Sequence, residues 1–184
     1  MARQLGLSFS AGDPSFPAAT PTRYPFELFS RGERQECENV VAGTLGGRAV
    51  TAFDFLYTSG SAPASRVSCA IAEVGGSVPH LLIAPASAVT DLPAQHDGAR
   101  VALEWNDFNA RFHVYTPERG YAPAVLDVGV MSWLMDEAPR LPLTWELQRG
   151  FVLCRGTGIQ PEAFADLLRA ATEFARRVAP AATS

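Results

Sequence analysis

A chain of 184 residues, 47% apolar and 18% charged, can bury a substantial core in one domain without disulfides or a structural metal. Its 15 basic residues are all arginine, and with no lysine there is no Schiff-base chemistry, no pyridoxal phosphate anchor and no P-loop ammonium. The formal charge of -4 and a pI near 5.4, with the arginines scattered, argue against a nucleic-acid or anionic-membrane surface.

No apolar run reaches the roughly 20 residues that span a bilayer. The start "MARQLGLSFSAGDPSF" lacks the continuous apolar segment of a secretory signal. A soluble, cytoplasmic protein without a transmembrane segment is therefore expected. Cys37, Cys69 and Cys154 are far apart and have no partner at metal-ligand spacing, so they read as reduced thiols. Neither a metal nor a cofactor is expected.

Residues 1–25 mix Ser, Ala, Pro and Gly without a sustained period, and "GDPSFPAATPTRYP" carries four prolines that break helices and central strands. They read as a flexible N-terminal arm, followed by a single α+β globular domain over 26–180. "ENVVAGTL" and "RAVTAFDFLY" are rich in Val, Thr and aromatic residues and flank Gly46-Gly47, the signature of a hairpin turn. A phosphate-binding glycine loop needs a helix after the glycines, whereas a strand pattern follows here.

"RVSCAIAEV" places Val67, Cys69 and Ile71 on one face and Arg66, Ser68 and Ala70 on the other, the pattern of a half-buried strand. "HLLIAP" is a short buried run. "RVALEW" and "RFHVYT" read as two strands with one polar face each, joined by a tight turn or single helical turn at "NDFNA". Val128, Met131, Leu134 and Met135 behind Asp127 predict a short capped helix, so helical structure is expected near 118–136. "LTWELQ" and "RGFVLCRG" then form a second hairpin about Arg149-Gly150.

"QPEAFADLLRAATEFARRVAP", residues 160–180, has proline at its start, acids early and Arg176-Arg177 late, in agreement with the helix dipole. Phe164, Leu167, Leu168, Ala171, Phe174 and Val178 form its buried stripe. The order predicts an α+β fold: a mainly antiparallel sheet of about seven strands and a closing C-terminal helix.

Pairing of "RVALEW" with "RFHVYT" across their turn would bring Glu104 near Arg111 and His113, a candidate catalytic acid–base set. A solvated cross-strand salt bridge beside a surface histidine accounts for the same residues. No activated nucleophile is indicated, since there is no G-x-S-x-G elbow and Cys69 points to the core. His80 and His96 stand alone, and Trp105, Trp133 and Trp145 read as core or as the lining of a cavity.

The succession "NVVAG", "FDFLY", "PHLLIAP" and "FNARFHV" resembles a bacterial domain family of unassigned function seen among actinobacteria. The matching positions are Asn39, Val40 and Gly43; Phe53, Asp54, Phe55 and Tyr57; Pro79 and Leu81; and Phe108, Asn109, Phe112 and Val114. The resemblance covers roughly residues 30–155 and brings no catalytic residues. Many members carry membrane-spanning helices upstream, a feature absent from this sequence. In shape, antiparallel strands closed by a C-terminal helix resemble a pleckstrin-homology-type module by analogy. The resulting expectation is a non-enzymatic protein-interaction or scaffold domain, with a protein partner or self-association. Two alternatives stay open: a hydrolase or small-molecule-binding enzyme using the polar sheet face, and a lipid or metabolite carrier.

Overall fold

The computed structural model describes residues 2–12, 24–87, 98–136 and 143–182. Its centre is one antiparallel sheet of nine strands, two more than the approximate count expected. In chain order these are β1 (Ser8–Gly12), β2 (Arg34–Leu45), β3 (Arg48–Thr58), β4 (Ser65–Glu73), β5 (Leu81–Pro85), β6 (Ala99–Val101), β7 (Phe112–Thr116), β8 (Thr144–Gln148) and β9 (Phe151–Gly156). Their order across the sheet is β1-β2-β3-β4-β9-β8-β5-β7-β6. Helices α1 (Asn106–Arg111), α2 (Tyr121–Val125), α3 (Val128–Asp136) and α4 (Phe164–Ala182) complete the α+β architecture.

The first hairpin follows from its glycines. Gly46 and Gly47 adopt φ values of 59° and 77°, which L side chains resist, and Leu45 pairs with Arg48 directly across the turn. The second hairpin turns on Arg149 at φ 47° and Gly150 at φ 86°. A Cβ on Gly150 would meet the carbonyl oxygen of Gly76, so close backbone approach adds to the conformational demand there.

Helix α4 packs its whole anticipated stripe onto β3, β4 and β9: Phe164, Leu167, Leu168, Ala171, Phe174 and Val178 are all buried. Its start takes the form of a 3-10 turn at Pro161–Ala163. Phe174 lies with Trp133 of α3 and Trp145 of β8, at ring separations of 6.3 and 5.1 Å. Asp127 caps α3 as anticipated, its Oδ1 accepting the Val130 N–H at 2.8 Å.

A second apolar layer covers the opposite face, and it corrects the expectation that β4 is half-buried. Residues 67–72 of β4 are buried on both faces, because Tyr24, Phe26, Leu28 and Phe29 close over Phe53, Phe55, Cys69 and Leu153. The Phe29 ring sits 5.7 Å from Phe53 and 5.3 Å from Phe55. Burial of one such ring stabilises by about 2 kcal/mol, which is what holds this short segment on the sheet.

Residues 2–12 also differ from the expected arm. Ala2–Leu5 forms a 3-10 turn, and β1 pairs along β2 from Ser8↔Ala42 to Gly12↔Glu38. Leu7 packs against Gly43, where a Cβ would stand 2.7 Å from Leu7 Cδ2. The small side chains of "SFSAG" carry little periodic signal, so pairing with β2 decides the conformation. Residues 13–23 of the expected arm lie outside the described residues. Among the described residues, no helix is long and apolar enough to cross a membrane.

Candidate functional site

The β1 border of the sheet combines an exposed aromatic ring, a groove and an open strand edge. β1 has β2 on one side, and among the described residues no strand pairs with its other side. Alternate residues of such a border direct their N–H and C=O groups away from the sheet, a template for a further strand. Phe9, paired with Val41, leaves 61% of its surface exposed. Next to it lies a groove of about 460 Å³, lined by Ala2, Phe9, Val41, Pro161 and Phe164 with Arg3 and Asn39 as its polar members. That volume falls in the range of ligand-binding clefts.

The groove floor is fixed by a polar cluster that links three strands. Asn39 adopts φ 54° at the irregularity where β2 slips register between Glu38 and Val41. Its Nδ2 donates to Asp54 Oδ2 at 2.9 Å, and Arg66 Nη1 donates to the same oxygen at 2.8 Å. Ser68 Oγ donates to Asp54 Oδ1 at 2.6 Å, and Arg66 Nη2 reaches Glu38 Oε2 at 2.5 Å. Asp54 is only 2% exposed, so its charge is tolerated because Arg66 and the hydrogen bonds compensate it. The cluster locks the bulge and therefore the positions of Asn39 and Val41 in the groove wall.

Two motif positions of the family resemblance, Asn39 and Asp54, thus meet directly, and a third acts locally. Asn109 accepts the Leu103 N–H at 2.9 Å and donates to the Leu103 carbonyl at 2.6 Å. This clamp ends β6 at Val101 and corrects the expectation that the whole of "RVALEW" is a strand. Glu104 is consequently exposed outside the sheet, and Arg111 closes α1 instead of opening β7, its Nη1 donating to Met135 O at 2.6 Å. His113 lies in β7 with Nδ1 buried and without a hydrogen-bond partner, and burial followed by nearby Arg100 lowers its pKa. Among the described residues, no hydrogen bond or ion pair joins Glu104, Arg111 and His113 to one another.

Pairing across the sheet creates a carboxylate–imidazole contact that local sequence does not announce. His80 Nε2 lies 2.9 Å from Glu146 Oε1, and both side chains are largely buried. Glu146 Oε2 is buried without a hydrogen-bond partner. A second groove, of about 310 Å³, lies near Tyr24, Val40, Thr51, Glu73 and Phe151. All three cysteines are buried, and burial pushes the Cys69 and Cys154 thiols well up, so neither is activated for nucleophilic attack. Among the described residues, no three His, Cys, Asp or Glu side chains gather as metal ligands do.

No protein-family model matches this chain, and a search of the curated proteins gives no match. Among solved structures, the chain is similar to the crystal structure of the mycobacterial trehalose monomycolate transport factor A, TtfA. The TM-score is 0.67, with 98% of this chain and 89% of that chain covered at 14% identity. At that identity the likeness establishes the fold.

Proposed function

We propose that this chain is a non-enzymatic protein-interaction domain whose working surface is the β1 border, and that it serves as an accessory component of a transport assembly. The observation that carries the reading is the open β1 edge with Phe9 exposed beside an apolar groove. An exposed strand edge with an apolar rim is a liability that most sheets blunt or cover, and an extended partner segment relieves it by adding a strand. The fold likeness to a transport factor, which extends over nearly all of both chains, supports the assembly part of the reading.

Site-specific photocrosslinking in the host tests it. A photoreactive phenylalanine at position 9 is expected to give one discrete protein adduct that disappears when Ala11→Pro removes an outward-facing N–H from the strand edge, Ser8 and Ser10 turning their own backbone groups toward β2. The same probe at Val128, which is 70% exposed on α3, should give none. Equal crosslinking at both positions, or adducts indifferent to Ala11→Pro, refutes the proposal.

The apolar lining of the groove also favours a second reading, a lipid carrier that holds an acyl chain against Phe9 and Phe164. The likeness to a factor for transport of trehalose monomycolate supports it too. Mass spectrometry of organic extracts from the purified chain separates the two: a stoichiometric lipid that is lost in Phe9→Asp selects the carrier.

A further inference from the structure

We infer that the segment received at the β1 border is an extended, acidic–apolar stretch of a partner protein, with apolar side chains at alternate positions and a carboxylate set against Arg3. The inference rests on the docking reading above and names the chemistry of its partner.

An added strand continues the pleat of β1, so every second side chain falls on the face that carries Phe9 and Val41. That is the groove side, where Ala2, Phe9, Val41, Pro161 and Phe164 leave room for apolar side chains of the incoming strand. Among the described residues, the groove's own lining holds one ionic group, the Arg3 guanidinium, and no carboxylate. Arg3 is exposed, and no ion pair with it is found among the described residues. In a chain of net charge -4, a cation that no described residue pairs with, at the rim of an apolar groove, selects against basic segments and for acidic ones. Asn39 adds a polar end whose side chain is already oriented by Asp54, so it supplies a hydrogen-bonding group without further ordering.

Selection from a randomised seven-residue peptide library displayed on phage, with the full chain as bait, tests the inference. The enriched peptides should alternate apolar residues and carry Asp or Glu on the same face. The same selection on Arg3→Glu should enrich Lys or Arg at that position. For one enriched acidic peptide, fluorescence anisotropy should show affinity falling about threefold in Arg3→Glu, less so in high salt, and about tenfold in Phe9→Ala. Enrichment that depends on Phe9 but shows no charge preference in either selection overturns the acidic assignment and leaves the docking surface standing. Enrichment indifferent to Phe9→Ala and Ala11→Pro, or none at all, overturns both. A dimer that dissociates in Ala11→Pro, measured by sedimentation, makes a second copy the occupant. Uptake of a long-chain fatty acid without peptide binding makes it a lipid, and either result overturns the inference.

Discussion

Replacement of Asp54 by alanine removes the acceptor for Asn39, Arg66 and Ser68 at once. The magnitude follows from where each donor is left. The Ser68 hydroxyl is buried and loses its acceptor, at a cost of about 1–3 kcal/mol. Arg66 is about half exposed and keeps Glu38, so its share is small after solvent screening. Asn39 loses the bond that holds it at φ 54°, adding about 1 kcal/mol. The expected total is about 3 kcal/mol, and Asp54→Asn, which keeps the shape and one acceptor oxygen, should cost about half of that. With a urea m-value of about 2 kcal/mol/M, Asp54→Ala lowers the unfolding midpoint by about 1.5 M. The double variant with Ser68→Ala should cost about 1 kcal/mol less than the sum of the single changes, since no hydroxyl is then orphaned. A midpoint shift under about 0.5 M at unchanged m, or strict additivity, would refute this account of the cluster.

Phe174→Ala opens a cavity between Trp133 and Trp145 and should cost about 3–5 kcal/mol, with loss of near-ultraviolet circular dichroism from the indoles. The three buried cysteines should stay silent to a thiol reagent in the native chain and react together on unfolding, followed by absorbance. Fast native reaction of Cys69 or Cys154 would contradict the upward displacement of their pKa values. Glu173 has its pKa lowered by the hydrogen bond from Arg176 and then by the other Arg176 and Arg177 interactions, against an opposing effect of burial. The stability it contributes is therefore present above its ordinary value of 4.5 and lost as pH falls through the depressed folded value. Glu173→Gln should flatten that part of the acid limb of a stability–pH curve by lowering stability near neutrality, with little change below the depressed folded value.

Helix α4 was legible because its stripe repeats at helical spacing and its ends carry matching charges. The hairpins were legible because Gly46, Gly47 and Gly150 mark them. "SFSAG" has no such mark, since Ser, Ala and Gly report neither face, and only Phe9 hints at the strand. The alternation of Val101, Leu103 and Trp105 misled in the other direction, because the Asn109 amide takes both backbone groups of Leu103 and stops the ladder. Arg111 and His113 then part company, one on a helix end and one on a strand. The Asn39–Asp54 bond crosses a register slip, and His80 meets Glu146 from 66 positions away. Pairings of that kind depend on strand order, which local pattern does not encode. The ordered motifs of the family resemblance were the one signal for Asn39 and Asp54.

The central claim is that a partner segment pairs with the β1 edge. Amide hydrogen exchange across Ser8–Gly12, compared with and without the partner captured through position 9, tests it most directly. Protection of alternate β1 amides, with β6 at the opposite border unchanged, is the predicted result. Unaltered exchange in β1 while the partner remains bound would contradict it.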